Sequence, residues 1–349
     1  MAERLDVVVI GGGQSGLAAG YYLAQQGRPF VILDAADRVG HAWRSRWDSL
    51  RLITPSPYND LPGLAFPRET GAFPSKEQTA DYLDQYARTF RLPVRLGARV
   101  TALRRSAGGG YRVELGGEAL EARAVVVATG TFQKPYFPVD RSEVSPDVAQ
   151  IHTSEYRNPQ ALPVGDTLVV GCGNSGNPIA RELSATRRVY QSIGQMMASP
   201  RRVLGKDLFW WLYNLRLMEV TVDSPLGRRL RRLPEGSIGL TPHDNARDHG
   251  VVLLGRTLSV RGDTAICDDG RTVRVRAIVW ATGFTHDYRW VDVPVLDARG
   301  APVHRRGVTE APGLYFLGLK WQYRNGSSLL GGVGRDAEFI ASHIARYLA

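Results

Sequence analysis

An α/β fold made of two Rossmann-like dinucleotide-binding domains, each with a small β-meander, follows from three observations. Residues 7–16 read VVVIGGGQSG, residues 168–177 read LVVGCGNSGN, and each stretch is followed downstream by an apolar run ending in ATG. A strand, a GxGxxG turn and a helix in that order make the phosphate-binding end of a Rossmann unit. Two copies in one chain are an internal duplication.

The first unit opens with the β-branched run of residues 6–10, as expected of a parallel strand buried on both faces. Gly11 permits the tight turn, Gly13 lets backbone approach a pyrophosphate, and Gly16 lets helix and strand pack closely. Gln14 and Ser15 share that cradle, where helix N–H groups and the helix dipole favour an anion. The following LAAGYYLAQQG suits a helix packed on a sheet, with Gly27 to end it. Asp34 closes the next strand, PFVILD, and is placed to take a ribose 2′-hydroxyl. A meander follows (ARVTALRRS, a glycine turn at 108–110, YRVEL) and leads to AVVVATG, with Thr129 and Gly130 at its end.

The second unit repeats the order. DTLVV is the strand, Gly171, Gly173 and Gly176 are the fingerprint with Asn174 and Ser175 between them, and PIARELSA is the helix. Pro178 sits early in it, where a missing N–H costs least. The strand RRVYQS comes next, but no Asp or Glu occurs between Glu182 and Asp207. Arg187, Arg188, Arg201 and Arg202 flank it instead, with Ser192 and Gln195 beyond. A 2′-phosphate is repelled by an acid and welcomed by arginine, so this cradle reads as an NADPH site, with NADH possible. RTLSV, TAIC and TVRVRA form the second meander, RGD at 261–263 reads as a turn between its strands, and AIVWATG ends at Ala281, Thr282 and Gly283. The expected division is residues 1–160 plus 285–349 for the first domain and an inserted 161–284 for the second. Two unlike cradles imply FAD in the first and NAD(P)H in the second, with hydride passing between them.

Composition narrows the function classes. With 349 residues, 43% hydrophobic and 22% charged, the chain reads as a folded, soluble protein of two medium domains. Cys172 and Cys267 are its only cysteines and make no CxxC, which argues against a disulfide framework, a cysteine zinc site or a dithiol. No signal-peptide pattern precedes the first strand and no apolar run reaches membrane-spanning length, so a cytoplasmic location is expected. The net charge of +10 is carried almost wholly by arginine. The densest run, GRRLRRLPEG at 227–236, lacks interleaved aromatic residues and reads as a solvated face, not a nucleic-acid site. No Ser/His/Asp triad, metal cluster or carboxylate pair stands out, as expected where a cofactor carries the chemistry.

The chain resembles the class B flavoprotein monooxygenases, and within them small bacterial flavin-containing monooxygenase-like proteins. The resemblance spans nearly the whole chain and rests on VVVIGGGQSGLAAGYYL, GHAWRSRWDSLRL, the two ATG segments, GCGNSG, GLYFLGLKWQ and LLGGVGRDAEFIASHIARYL. It implies the two-domain glutathione-reductase-like fold, FAD in the first cradle and the nicotinamide cofactor in the second. Of the family's FxGxxxHxxxY signature, PDVAQIHTSEY keeps His152 and Tyr156 but has Pro146 and Val148 in place of Phe and Gly. Baeyer–Villiger relatives carry Trp where Tyr156 stands, so the resemblance favours oxygenation of sulfur or nitrogen.

The resemblance also makes His152, Tyr156 and Thr54 candidate catalytic residues. His152 and Tyr156 can equally serve as hydrogen-bonding residues of an interdomain hinge. Gly40 and Trp43 match the segment that wraps the flavin, although His41 replaces a usual glycine. GGVGRD is expected to start a final helix aimed at the isoalloxazine, where positive helix-end charge stabilises reduced flavin. Gly318, Trp321 and Gln322 are assigned to the cofactor-binding residues, with Trp321 and Gln322 as candidates for the active-site wall. The aromatic run 205–220 reads as a helix that packs in a core, covers the cofactor cleft or docks an oily surface. The implied reaction is NAD(P)H-driven formation of a C4a-hydroperoxyflavin that transfers oxygen to a small soft nucleophile, with molecular oxygen and a small-molecule substrate as partners. Baeyer–Villiger oxygenation, an NAD(P)H oxidase or flavin reductase, and a nucleotide-sensing regulatory flavoprotein are the alternatives; a homodimer is left open.

Overall fold

The computed structural model describes residues 4–68, 73–195, 197–234 and 236–349. Its first sheet has eight strands. In the order in which they are hydrogen-bonded, seven of them are Val291–Asp292, β4 (Ala102–Arg105), β5 (Tyr111–Leu115), β6 (Glu118–Val127), β1 (Arg4–Ile10), β2 (Phe30–Leu33) and β3 (Val94–Arg95). The eighth, Leu314–Phe316, also pairs with β6. The strands β6, β1, β2 and β3 are parallel, while β4, β5 and β6 form the expected antiparallel meander. Thus β6 serves both: its first half closes the meander and its second half flanks β1. Val7, Val8 and Val9 are fully buried, as parallel strands covered on both faces require.

The second sheet has five parallel strands in the order Val252–Leu254, Val189–Ser192, Thr167–Val170, Ala277–Trp280 and Ala149–His152. A separate three-stranded meander, Thr257–Arg261, Thr264–Cys267 and Thr272–Arg274, sits beside it, and RGD is the turn between its first two strands. The strand Ala149–His152, expected in the first domain, lies in this second sheet. Its apolar residues extend the buried face next to Ala277–Trp280, so the chain has crossed over before residue 149. After residue 284 the chain returns to the first sheet through Val291–Asp292 and Leu314–Phe316.

Both phosphate-binding turns are built by the same two collisions. A Cβ on Gly11 would lie 2.5 Å from the Ala128 carbonyl oxygen, and one on Gly16 would lie 1.8 Å from that of Gly11. In the second unit the corresponding approaches are 2.3 Å from Gly171 to the Ala281 oxygen and 2.3 Å from Gly176 to the Gly171 oxygen. Gly11 (φ +110°) and Gly171 (φ +114°) also adopt backbone angles closed to other residues. The ATG alanines therefore form the floor on which each glycine turn rests.

The aromatic run 205–220 is not one helix. Leu208–Asn214 is helical, Arg216 turns left-handed at φ +54°, and Leu217–Glu219 resumes as a 3-10 turn. A left-handed residue ends a helix by turning its last carbonyls out of register.

The collisions make a direct prediction. Gly16→Ala lowers the thermal stability of the protein by about 1–3 kcal/mol through overpacking. Gly13→Ala, whose added methyl meets nothing within 4 Å, leaves the stability of the ligand-free protein unchanged within about 0.5 kcal/mol.

Candidate functional site

Each cradle ends in a helix whose first N–H groups are left for a ligand. Helix Gln14–Gln25 and helix Gly176–Ser184 have no side-chain cap and no acid in their first turns. Gly13 and Gly173 stand at the open side, with no atom near the position of an added Cβ. A turn that is crowded beneath its first and third glycines and open above its second is shaped to admit a pyrophosphate.

The ribose ends differ. Asp34 accepts the Gly12 N–H at 2.6 Å through Oδ2 and the Ala36 N–H at 2.8 Å through Oδ1. That fixes its carboxylate beside the first turn with acceptor capacity remaining for a hydroxyl. In the second unit the same place is held by Ser192, Ile193 and Gly194. Ser192 is buried; its hydroxyl donates to the Gly255 carbonyl at 2.9 Å and accepts the Thr257 N–H at 2.8 Å. A guanidinium that the sequence reading did not single out comes close: Arg256 lies 3.5 Å from the Cβ position of Gly194, while Asp269 and Asp268 accept the N–H groups of Gly255 and Arg256 on the same loop. Of the flanking arginines, Arg187 donates to the carbonyls of Pro159 and Pro163, and Arg188 lies over the Tyr190 ring. Arg202 is exposed on a short hairpin, and Gln195 is exposed. Arg256 follows strand Val252–Leu254, far from the fingerprint in sequence, so only the parallel pairing of that strand with Val189–Ser192 reveals it.

The ATG ends are tied to one another. Gln133 donates to Thr129 Oγ1 at 2.9 Å and to the Gly130 carbonyl at 2.8 Å, and accepts the Asp287 N–H. Strands Lys134–Pro135 and Phe284–Thr285 pair antiparallel, and the Thr282 hydroxyl donates to the Tyr136 carbonyl. His152 Nε2 donates to the Gly283 carbonyl at 3.0 Å while Nδ1 accepts the Ser154 N–H at 3.1 Å. A ring nitrogen that accepts a backbone N–H carries no proton, so His152 is held neutral. Burial pushes its pKa below the ordinary value. Tyr156 donates to Glu182 on helix Gly176–Ser184 at 2.7 Å, and burial pushes its pKa up. Both residues of the partial signature thus hold the junction of linker and second sheet.

The segment of 197–238 reaches from the second sheet to elements of the first. Tyr213 stacks on Tyr58 with ring centroids 4.3 Å apart, and Arg201 Nη1 donates to the Ile53 carbonyl at 2.7 Å. Arg201 also pairs with Asp207 and lies over the Phe73 ring, contacts that engage it away from the second fingerprint. Val222 N–H donates to the Tyr323 carbonyl, and Glu219 pairs with Arg335. Thr54 is buried next to Ile53, and its carbonyl accepts from Asn59. Gly40 (φ +80°) packs against the Ala80 backbone, and Trp43 packs against core residues of both sheets.

At the C-terminal end, Gly318 packs over Ser15, and Gln14 donates to the Ser328 carbonyl. Gln322 is buried and folds inward to accept the Leu319 N–H, while Trp321 is half-buried at φ +52°. The final helix is Gly334–Tyr347, as GGVGRD predicted. Its first turn carries a fully buried carboxylate, Asp336, between Arg306 and Arg324. The two guanidiniums offset that charge, so the helix end keeps its positive character.

Comparison with known proteins identifies the scaffold. Residues 8–196 match the family model described as pyridine nucleotide-disulphide oxidoreductase. The chain belongs to this family. The chain is 44% identical over 349 residues to a CzcO-like oxidoreductase of Geobacillus kaustophilus, covering 99% of this chain and 100% of that one. It is 30% identical over 378 residues to indole-3-pyruvate monooxygenase YUCCA1 of Oryza sativa, covering 97% and 90% of the two chains. Among solved structures, a flavin-containing monooxygenase from Stenotrophomonas maltophilia superposes with a TM-score of 0.83 at 28% identity, covering 99% and 100%. Within the family the chain is a flavin monooxygenase-type oxidoreductase, as its class B resemblance implied. The cysteines of this family member are both free and lie apart, Cys172 in the second cradle and Cys267 in the second meander.

The neutral state of His152 sets a pH dependence. Its folded pKa lies below 6.5, so below that pH the unfolded chain takes up a proton that the folded one refuses. Its stabilising effect is complete above pH 6.5 and is lost as pH falls through the folded pKa. His152→Gln, which keeps a donor for Gly283, removes this proton and flattens denaturant-measured stability between pH 5 and 7 by up to about 1.4 kcal/mol per pH unit.

Proposed function

We propose that the protein is an FAD-dependent, NADPH-consuming monooxygenase that oxygenates a small soft nucleophile at sulfur or nitrogen. The observation that carries this reading is the pair of like-built cradles with unlike ribose ends, a carboxylate in one and a guanidinium in the other. Residues of the first cradle fit FAD: helix Gln14–Gln25 offers its uncapped N-terminus to the pyrophosphate and Asp34 its carboxylate to the ribose. Those of the second fit NADPH: helix Gly176–Ser184 faces the pyrophosphate and Arg256 the 2′-phosphate. Bound flavin supplies the hydride acceptor and, once reduced, the electrons that activate dioxygen for transfer of one oxygen atom.

The chain's own residues then bind, orient and exclude water. Gln133, His152 and the paired strands fix the distance between the two ATG ends, and so between the two cradles. Tyr58, Tyr213 and Arg201 hold the reaching segment down beside Ile53 and Thr54, and so build a wall between the second unit and the first. A reactive oxygen donor survives only where water and stray protons are kept away, and that exclusion is this wall's contribution. The likeness to indole-3-pyruvate monooxygenase and flavin-containing monooxygenase supports oxygen transfer over simple NADPH oxidation.

Rapid mixing tests this reading. Anaerobic NADPH bleaches the flavin; oxygen then produces a spectral species that outlives the reduced form, and a sulfide or amine substrate shortens its life without peroxide release. Immediate reoxidation with stoichiometric peroxide contradicts oxygen transfer and favours an oxidase. Arg256→Ala raises the KM for NADPH about tenfold or more and leaves that for NADH within about twofold, as loss of a charge-assisted contact of about 1.5–3 kcal/mol implies.

A further inference from the structure

The reaching segment leaves and rejoins the second unit at two adjacent strands, Met197–Ser199 and Gly236–Ile238, which pair in parallel. One side of it is fastened to residues 53–58 and 323–326 and to Arg335 through Arg201, Tyr213, Met218, Glu219 and Val222. Its remaining surface carries two kinds of exposed side chain. Leu204 is 86% exposed, Leu215 60%, Leu226 45% and Leu233 44%. Arg202, Lys206, Arg216 and the arginines at 228, 229, 231 and 232 are exposed as well. Of the acids, Asp207 and Glu219 are paired with Arg201 and Arg335, which leaves Asp223 as the exposed acid among the described residues of this segment.

Leu204 is the sharpest of these features. It forms the tip of the hairpin between Arg202–Val203 and Lys206–Asp207. Both tip residues are left-handed, Leu204 at φ +48° and Gly205 at φ +74°. A two-residue hairpin tip with two positive φ angles is the geometry that Asn-Gly fills at least strain. A leucine there is strained in backbone and wetted in side chain, so nothing within the folded monomer is gained by it. The hairpin is rigidly mounted, because Trp211 Nε1 donates to the Val203 carbonyl at 2.8 Å and Lys206 lies over the Trp210 ring.

We propose that this outer surface docks the protein on an anionic phospholipid bilayer. Projecting leucines enter the acyl boundary while arginines interleaved with them meet phosphate headgroups, the combination that peripheral attachment requires. A second copy of the chain fits less well: a twofold interface sets a patch against itself, and this one would oppose its own positive charge. Nucleic acid fits less well because the exposed side chains among the arginines are leucines and not stacking rings.

Flotation of the purified, flavin-loaded protein with vesicles tests this. Phosphatidylglycerol-rich vesicles carry the protein at low salt and release it at high salt, and pure phosphatidylcholine vesicles do not carry it. Leu204→Asn, which suits the tip's backbone, lowers the bound fraction several-fold with the flavin spectrum and melting temperature intact. The quadruple variant R228E/R229E/R231E/R232E lowers it about tenfold or more. Equal binding to both vesicle types, or to neither, overturns the proposal. So does a dimer in sedimentation velocity that Leu204→Asn dissociates while vesicles bind nothing, or binding to a DNA duplex in preference to phosphatidylglycerol.

Discussion

The structure depends on one close approach made twice: a glycine that leaves no room for a Cβ between itself and the carbonyl oxygen of the alanine that follows the neighbouring parallel strand. Gly11 meets Ala128 and Gly171 meets Ala281, and in each case the third glycine of the turn closes down on the first. No side chain fits into either contact. Because the turn is pinned from below, the following helix starts at a fixed height above the sheet, with its free N–H groups aimed past the second glycine. The ATG segment is thus the other half of the cradle as well as a link between domains, which explains why it recurs with the fingerprint.

Two such cradles do chemistry together only if their separation is held. The chain does this at the ATG ends themselves, where Gln133 joins Thr129 and Gly130 to Asp287, and His152 joins the second sheet to Gly283. Phe132, Phe284 and the Arg46 guanidinium pack at the same place, with the two rings 5.2 Å apart and edge to face. The segment of 197–238 adds a second span, from Arg201 at Ile53 to Val222 at Tyr323. A neutral histidine suits the junction because it donates on one side and accepts on the other, which a charged one does not. In this arrangement the two residues of the partial family signature, His152 and Tyr156, are engaged in fixing the junction.

Much of this was legible in the sequence because the Rossmann unit is local. Strand, glycine turn, helix and second strand occupy consecutive residues, so Gly11 to Asp34 and Gly171 to Ser192 were readable as a pattern, and so were the meanders and the final helix at Gly334. Contacts between distant segments were not readable. Arg256 reaches the second ribose end only through the pairing of Val252–Leu254 with Val189–Ser192. The strand Ala149–His152 has too little periodicity to declare which sheet it joins, and its place was decided by Ala277–Trp280. Arg201 was picked out by its position after a Rossmann strand, yet the segment that carries it turns outward and delivers it to Ile53. The helix break at Arg216 had no glycine or proline to announce it; the turn that follows is held by Asn325 and Gly326, which donate to the Leu217 and Met218 carbonyls.

Paired substitution at the open glycines separates the ligands of two cradles that are alike in construction. Gly13→Ala and Gly173→Ala each add a methyl where the fold has room and a pyrophosphate does not. Flavin content after purification and the rate of anaerobic flavin reduction by NADPH are measured for both. Gly13→Ala is expected to lose flavin, while Gly173→Ala keeps it and is reduced about tenfold or more slowly at subsaturating NADPH. Loss of flavin from both variants, or full flavin content with unimpaired reduction in both, would contradict a separation of ligands.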